Sequence, residues 1–260
     1  MDMKKACVTA LCVVGGLVCS PNVEALEVKG DASAAVSSSY FWRGKEIADS
    51  TVIQPQLSLF VGQWILSVGD TWVAKRESGL SARTRIDAQA DYGFTWKTLD
   101  LKAGAVARTY HGDPDKLESD AYEIYARAAA SDVQFYPSVT LYYSFGDIQG
   151  IYASFAAGET WQIQDWLDAV FGVRLGVASA GFIQKFFAGP SAGDDGDTTL
   201  RGGLVDLSAS LSLPATYKTL IITPRVEYVT LIDSSLRNAA EAVHRKSDGV
   251  VGSLAVTWSF

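Results

Sequence analysis

The residues of this 260-residue chain that could do chemistry are two histidines, an acidic loop and a set of charged side chains recurring at alternate positions. His111 is followed by Gly112-Asp113-Pro114 and His244 by Arg245-Lys246. Neither places a His and a Ser together on one strand face, as a hydrolytic pair would need. All three cysteines (Cys7, Cys12, Cys19) precede residue 26, so no thiol nucleophile is expected in the processed chain, and no metal-ligand spacing appears. The run GDDGD, Gly193 to Asp197, lacks the ligand spacing and distal glutamate of a calcium loop and reads as a solvated acidic loop. The expectation is no enzyme activity, no metal and no cofactor.

What remains is Arg43, Arg83, Arg85, Asp87, Asp91, Lys102, Arg108, Glu123, Arg127, Arg174, Asp206, Arg225 and Glu227. Basic residues outnumber acidic ones in this set, although the chain carries a net charge of −7. Lining a narrow aqueous pore, they would set its field and favour small anionic or zwitterionic solutes. Paired across neighbouring strands, they would fill a lumen instead.

The elements that must position these charges are strands. Ile86, Ala88, Ala90, Tyr92, Phe94 and Trp96 alternate with Arg85, Asp87, Gln89, Asp91, Gly93 and Thr95, the period of extended chain. Similar alternation predicts about twelve strands: 31–44, 54–62, 64–73, 82–96, 99–109, 121–130, 136–145, 151–157, 167–179, 204–213, 220–231 and 248–260. Trp42 and Arg43 close the first of these, and Trp161 and Trp166 fall in a turn before 167. Pro224 inside the eleventh suggests a bulge. Segments 74–81, 110–120, 180–203 and 233–247 read as long loops at one end, while 62–63, 97–98 and 214–219 read as shorter turns at the other. That asymmetry, with an even strand number, is expected of an antiparallel up-and-down transmembrane β-barrel.

The first 25 residues read as a cleavable signal peptide rather than structure. Lys4 and Lys5 precede an apolar core, Ala6 to Val18, and Val23-Glu24-Ala25 offers a small-residue cleavage end. Residues 26–260 then form one domain. No later apolar run approaches the roughly 18–20 residues of a membrane helix. The acidic balance argues against nucleic acid as a partner.

Alternation alone does not say which face meets water. Trp64, Trp96, Trp161, Trp166 and Trp258 gather near one expected rim, and Trp42 and Trp72 near the other, as two aromatic girdles at bilayer interfaces would. Placing Arg85, Asp87 and Asp91 in a dry core would cost several kcal/mol per unpaired charge. A wet lumen avoids that cost, so the apolar face is expected to meet lipid.

At the C-terminus, Val250, Gly252, Leu254, Val256, Trp258 and Phe260 share one face and Val251, Ser253, Ala255, Thr257 and Ser259 the other. This stretch resembles the closing strand of bacterial outer-membrane barrels, which implies that Trp258 and Phe260 serve as the signal read by the barrel assembly machinery. Ser39-Tyr40-Phe41-Trp42-Arg43-Gly44 followed by Gln54-Pro55 resembles the opening of the TorF-like porins and related outer-membrane proteins. Pro137 to Phe145 and Ile222 to Tyr228 resemble later strands of such families. The resemblance implies an outer-membrane barrel with a porin-like role for small hydrophilic solutes; a structural or adhesive barrel with a plugged lumen is the alternative.

Overall fold

A computed structural model of the chain describes residues 28–74, 84–111, 120–187, 200–242 and 245–260. The expected signal segment, Arg83, His244 and the GDDGD run lie outside the described residues.

The chain opens with β1 (Val28–Ser37), then a small separate hairpin of β2 (Tyr40–Trp42) and β3 (Lys45–Ala48). β4 (Val52–Val61) pairs antiparallel with β1, and β5 (Trp64–Val73), β6 (Thr84–Trp96), β7 (Leu99–His111) and β8 (Ala121–Ala130) follow, each paired antiparallel to the one before. β9 (Ser138–Gly146), β10 (Gly150–Gln164) and β11 (Leu167–Ala178) continue the meander. After α1 (Ala180–Phe187) come β12 (Gly203–Ser212), the short β13 (Ala215–Tyr217) and β14 (Leu220–Leu231). Then α2 (Ser234–Ala242) and β15 (Asp248–Ser259) complete the chain. β13 continues the line of β12 beside β14, so the wall is a closed ring of 12 antiparallel strands, as expected.

Closure runs from Asp31 opposite Ser259 to Ser37 opposite Ser253. It extends to the last residue: Gly30 N–H donates to the Phe260 carbonyl and Phe260 N–H to that of Gly30, both at 2.8 Å. No sheet edge remains open, the condition for a sheet inside hydrocarbon. The Phe260 ring lies over Gly30, where a side chain would collide with it, so glycine is required at that crossing.

The faces follow the period-two pattern. Phe94, Trp96, Ile124, Leu141, Tyr143, Leu254 and Trp258 all point outward and are about half exposed. An apolar outer wall suits an outer-membrane protein, with the lumen inside it. Two-residue turns at the end carrying the termini (the inner rim) fit their residues, since Gly62, Lys97 and Lys218 take positive φ there.

Pro224 makes no bulge against β15; it faces Leu254 in regular register. Its carbonyl accepts from Leu213 N–H at 3.0 Å, which places its missing donor at the break between β12 and β13. The bulge lies elsewhere. Leu175 faces Leu207 but Val177 faces Leu204, so β12 carries an extra residue and turns both Val205 and Asp206 inward. Val205, expected outside, is therefore fully buried.

Three other expectations change. The first strand ends at Ser37 rather than Gly44; β10 runs on to Gln164 and carries Trp161 within it; and the expected loops 180–203 and 233–247 contain α1 and α2. Asp233 caps α2 by accepting from Ser235 N–H at 2.7 Å and from its hydroxyl. These bonds hold the Asp233 carboxyl below its ordinary pKa.

Candidate functional site

The lumen holds the charged set, and the β2–β3 hairpin divides it. Arg43 and Gly44 are the two turn residues, with φ of 50° and 79°, the paired positive values of a two-residue hairpin turn. Gly44 also needs its missing side chain. A Cβ there would stand 2.6 Å from Leu231 Cδ2 and 2.7 Å from Asp206 Cβ.

The hairpin leaves the wall between β1 and β4. Around the ring, β15, β14, β12 and β11 lead one way to β10, and β5, β6, β7 and β8 the other way to β9. β9 and β10 are thus diametrically opposite the hairpin's root. The Arg43 guanidinium lies 4.7 Å from the Tyr142 ring centroid on β9 and 4.2 Å from that of Tyr152 on β10. The hairpin therefore crosses the full width of the lumen.

Its tip is held by charge. Arg43 donates to both oxygens of Glu123, Nη1 to Oε1 at 2.6 Å and Nη2 to Oε2 at 2.9 Å. Glu123 also accepts from Ser144 Oγ at 2.5 Å and from Arg108 Nη1. The Arg43 side chain is 5% exposed and that of Glu123 0%. Fork-to-fork pairing of this kind has the geometry of strong charge-assisted bonds, and removing one partner from a buried pair costs about 3–5 kcal/mol. Alongside, the buried Asp206 carboxylate accepts from the Tyr152 hydroxyl at 2.8 Å and pairs with Arg174 at 2.9 Å.

Above the hairpin, the loop end carries a buried apolar core. Phe182, Ile183, Phe186 and Phe187 of α1 are buried with Leu236 and Ala240 of α2 and with Ile148, Leu200 and Leu231. Burial of a large apolar side chain contributes about 1.5–3 kcal/mol. Trp42 joins this core edge-on to Phe186, ring centroids 5.0 Å apart. Lys45 Nζ donates to the Phe186 carbonyl and Arg245 Nη1 to that of Ile47, both at 2.9 Å; Lys246 N–H donates to Glu46 at 3.0 Å.

Below the hairpin, toward the inner rim, Lys102, Arg127 and Arg225 keep part of their side chains exposed. Asp91 accepts from Tyr125 and from Gln89 at 2.8 Å, with Lys102 Nζ at 3.8 Å. Lys102 sits directly opposite Arg127 across β7–β8. The Arg127 side chain is exposed and makes no hydrogen bond or ion pair among the described residues. Like charges directly opposite one another on neighbouring strands are destabilising, and Asp91 offsets only the Lys102 side of this pair. Arg225 pairs with Glu227 at 2.9 Å and stays partly exposed. On β15, β1, β4 and β5 the inward positions include Ser253, Thr257, Ser33, Ser58 and Ser67, together with Gln56 and with Asp31 opposite Ser58.

The expected lumen residues thus divide by height. Arg43, Arg108, Glu123, Arg174 and Asp206 meet around the hairpin tip, and Arg85 pairs with Asp87 at 2.6 Å beneath the Tyr40 ring. Asp91, Lys102, Arg127, Arg225 and Glu227 face the inner-rim half. Arg43 reaches the lumen from the hairpin rather than from a barrel strand. Trp64, Trp72, Trp96, Trp161, Trp166 and Trp258 stand on the outer face, each about half exposed. Trp42 does not; the chain turns inward after Ser37 and seats its indole against Phe186, with Arg108 Cζ 5.1 Å from its centroid.

Ser144, Tyr142, Tyr152 and Phe182 are the site residues that sequence reasoning missed. The helical spacing of Phe182, Ile183, Phe186 and Phe187 was a usable signal for α1. The tyrosines carried none, since either strand face accepts tyrosine.

Scanned against models of protein families and against curated proteins, the sequence matches none. Solved structures do resemble it. The KdgM porin superposes at 13% identity with TM-score 0.50, covering 89% of this chain and 99% of that one. The NanC porin gives 10% identity and TM-score 0.50, covering 88% and 98%. LpxR from Salmonella typhimurium gives 10% identity and TM-score 0.52, covering 88% and 99%. At such identities the likeness establishes the fold, that of an outer-membrane β-barrel.

Proposed function

We propose that this protein is a porin-like channel of the bacterial outer membrane, passing small hydrophilic solutes with a preference for anions. The observation that carries the reading is the charge left exposed in the inner-rim half of the lumen. Lys102 and Arg127 lie side by side there on neighbouring strands, Arg127 without a counter-ion among the described residues. A passing carboxylate relieves that repulsion, which is how a charged lumen selects. The resemblance to TorF-like porins and the barrel shared with the KdgM and NanC porins support the same role. In this reading outer-membrane lipid surrounds the wall, the assembly machinery reads Trp258 and Phe260, and no catalysis takes place.

The test is reversal potential in a salt gradient across a planar bilayer. Anion selectivity that weakens or inverts in Lys102→Glu/Arg127→Glu supports the reading; selectivity unchanged by the double substitution rejects it. The second reading, a structural or adhesive barrel, draws on the apolar core at the loop end. It predicts a binding partner lost when the loops carrying α1 and α2 are trimmed, with no change in permeability.

A further inference from the structure

The β2–β3 hairpin lies across the lumen in an arrangement unlike a passive lining. Both of its ends are anchored at one seam of the wall: Ser37 and Val52 face each other across β1–β4, so residues 38–51 leave and return at a single point. Its far end is fixed by one charged contact, Arg43 on Glu123, made on the opposite side of the ring. Arg43 holds a positive φ that a non-glycine residue adopts at a cost, and such strain persists only where surrounding contacts enforce it. A two-stranded hairpin has little stability of its own in water, so its seat depends on what grips the tip.

The grip is lopsided. Glu123 is shared by two guanidiniums, Arg43 from the hairpin and Arg108 from the wall. If the hairpin leaves, Glu123 keeps Arg108 and Ser144 as partners, so no carboxylate is stranded in the wall. Arg43 leaves three aromatic rings outside the hairpin, of Tyr142, Tyr152 and Phe182, within 4.2–5.1 Å. A buried pair that can part while its acid stays neutralised suits a contact that must release.

Resting on the channel reading, we infer that residues 38–51 are a hinged plug and that the Arg43–Glu123 pair is its latch, so that this pair sets how often the pore is open. The structure described is the closed state. The hinges are Ser39 at one end and Asp49-Ser50 at the other, free of regular structure, while Ser38 and Thr51 stay bonded to the wall at Gly252 and Ala74. Trp42 and Lys45, the pair that flanks the turn, also rest on Phe186, and Glu46 is held farther down by Lys246, but none of these contacts reaches across to the barrel wall as Arg43 does.

Single-channel recording of five proteins tests this: the full chain, Arg43→Gln, Glu123→Gln, the two substitutions combined, and a chain in which Asn-Gly replaces residues 38–51. The Asn-Gly turn is sterically permitted because Ser37 and Val52 are already paired. The excised chain is expected to stay open. Each single substitution is expected to raise the open fraction at least about tenfold over the full chain, at the unit conductance of the excised chain. The double substitution should add little beyond the larger single effect, as one latch is being removed. Folding of each is verified by heat-modifiable gel mobility; should Glu123→Gln fail to fold, Arg43→Gln, which lies off the barrel wall, carries the test. An excised chain that conducts beside single variants indistinguishable from the full chain overturns the latch and leaves the channel standing. An excised chain that never conducts overturns both.

Discussion

Gly44→Ala is a small change with a large expected consequence. The φ of 79° is left-handed, and an alanine there costs roughly 1–2 kcal/mol. Its Cβ would also press into Leu231 Cδ2 at 2.6 Å and Asp206 Cβ at 2.7 Å. Overpacking a filled interior adds about 1–3 kcal/mol. Together the plug should be destabilised by roughly 2–5 kcal/mol relative to its unseated state, which is about 30-fold or more in the opening equilibrium. Because the unseated hairpin does not persist alone, amide hydrogen exchange of residues 40–48 should accelerate by that factor while the barrel strands keep their protection. Gly62→Ala is the internal control: its φ is 60°, but nothing lies within 4 Å of the added Cβ. It should show the conformational cost only, confined to the inner turn. Unchanged exchange in Gly44→Ala, or acceleration spread equally over β12 and β14, would refute the seating of the tip described above.

Two further outcomes follow from the wall. Leu254 points outward and is half exposed, whereas Ser253 faces the lumen; Leu254→Arg should lower unfolding free energy in lipid vesicles by about 2–4 kcal/mol and Ser253→Arg by much less, and equal losses in a urea titration would contradict the facing. Removing Phe260 eliminates both 2.8 Å bonds to Gly30 and the ring that covers it; the heat-modifiable, folded fraction should fall sharply, and undiminished assembly would show that the terminal residue plays no part in closure.

Much of the wall was legible because each strand repeats one rule. Ile86 to Trp96 and Val250 to Phe260 alternate so regularly that their outward faces follow from period two alone. The plug was not legible, because Tyr40-Phe41-Trp42 continues the alternation of β1 beyond Ser37. Nothing in those residue types separates a strand that goes on from a chain that folds back inside. Arg43-Gly44 carried a turn signal only in its glycine, and the arginine at positive φ is held there by Glu123, eighty residues away in sequence. Val205 was lost to a one-residue bulge, which reverses facing without any compositional mark. α1 was hidden by its shortness: eight residues inside a long loop give barely two turns of periodicity.

The charged residues were read as one set and proved to be two. Arg43, Arg108 and Glu123 meet at the hairpin tip, while Lys102, Arg127 and Arg225 face the inner-rim half of the lumen. Only three-dimensional contact separates the groups, since both lie on the same face of their strands or loops. In the channel reading, the division reconciles a pore with a filled lumen: the two alternatives are stacked along one axis, with the proposed plug above and the exposed charges below.

The most direct measurement is the conductance of the full chain beside that of the chain with residues 38–51 replaced by Asn-Gly, in the same planar bilayer. The account predicts brief, infrequent openings for the full chain and a steady conductance of the same unit size for the excised one. A folded excised chain that passes no current would contradict it.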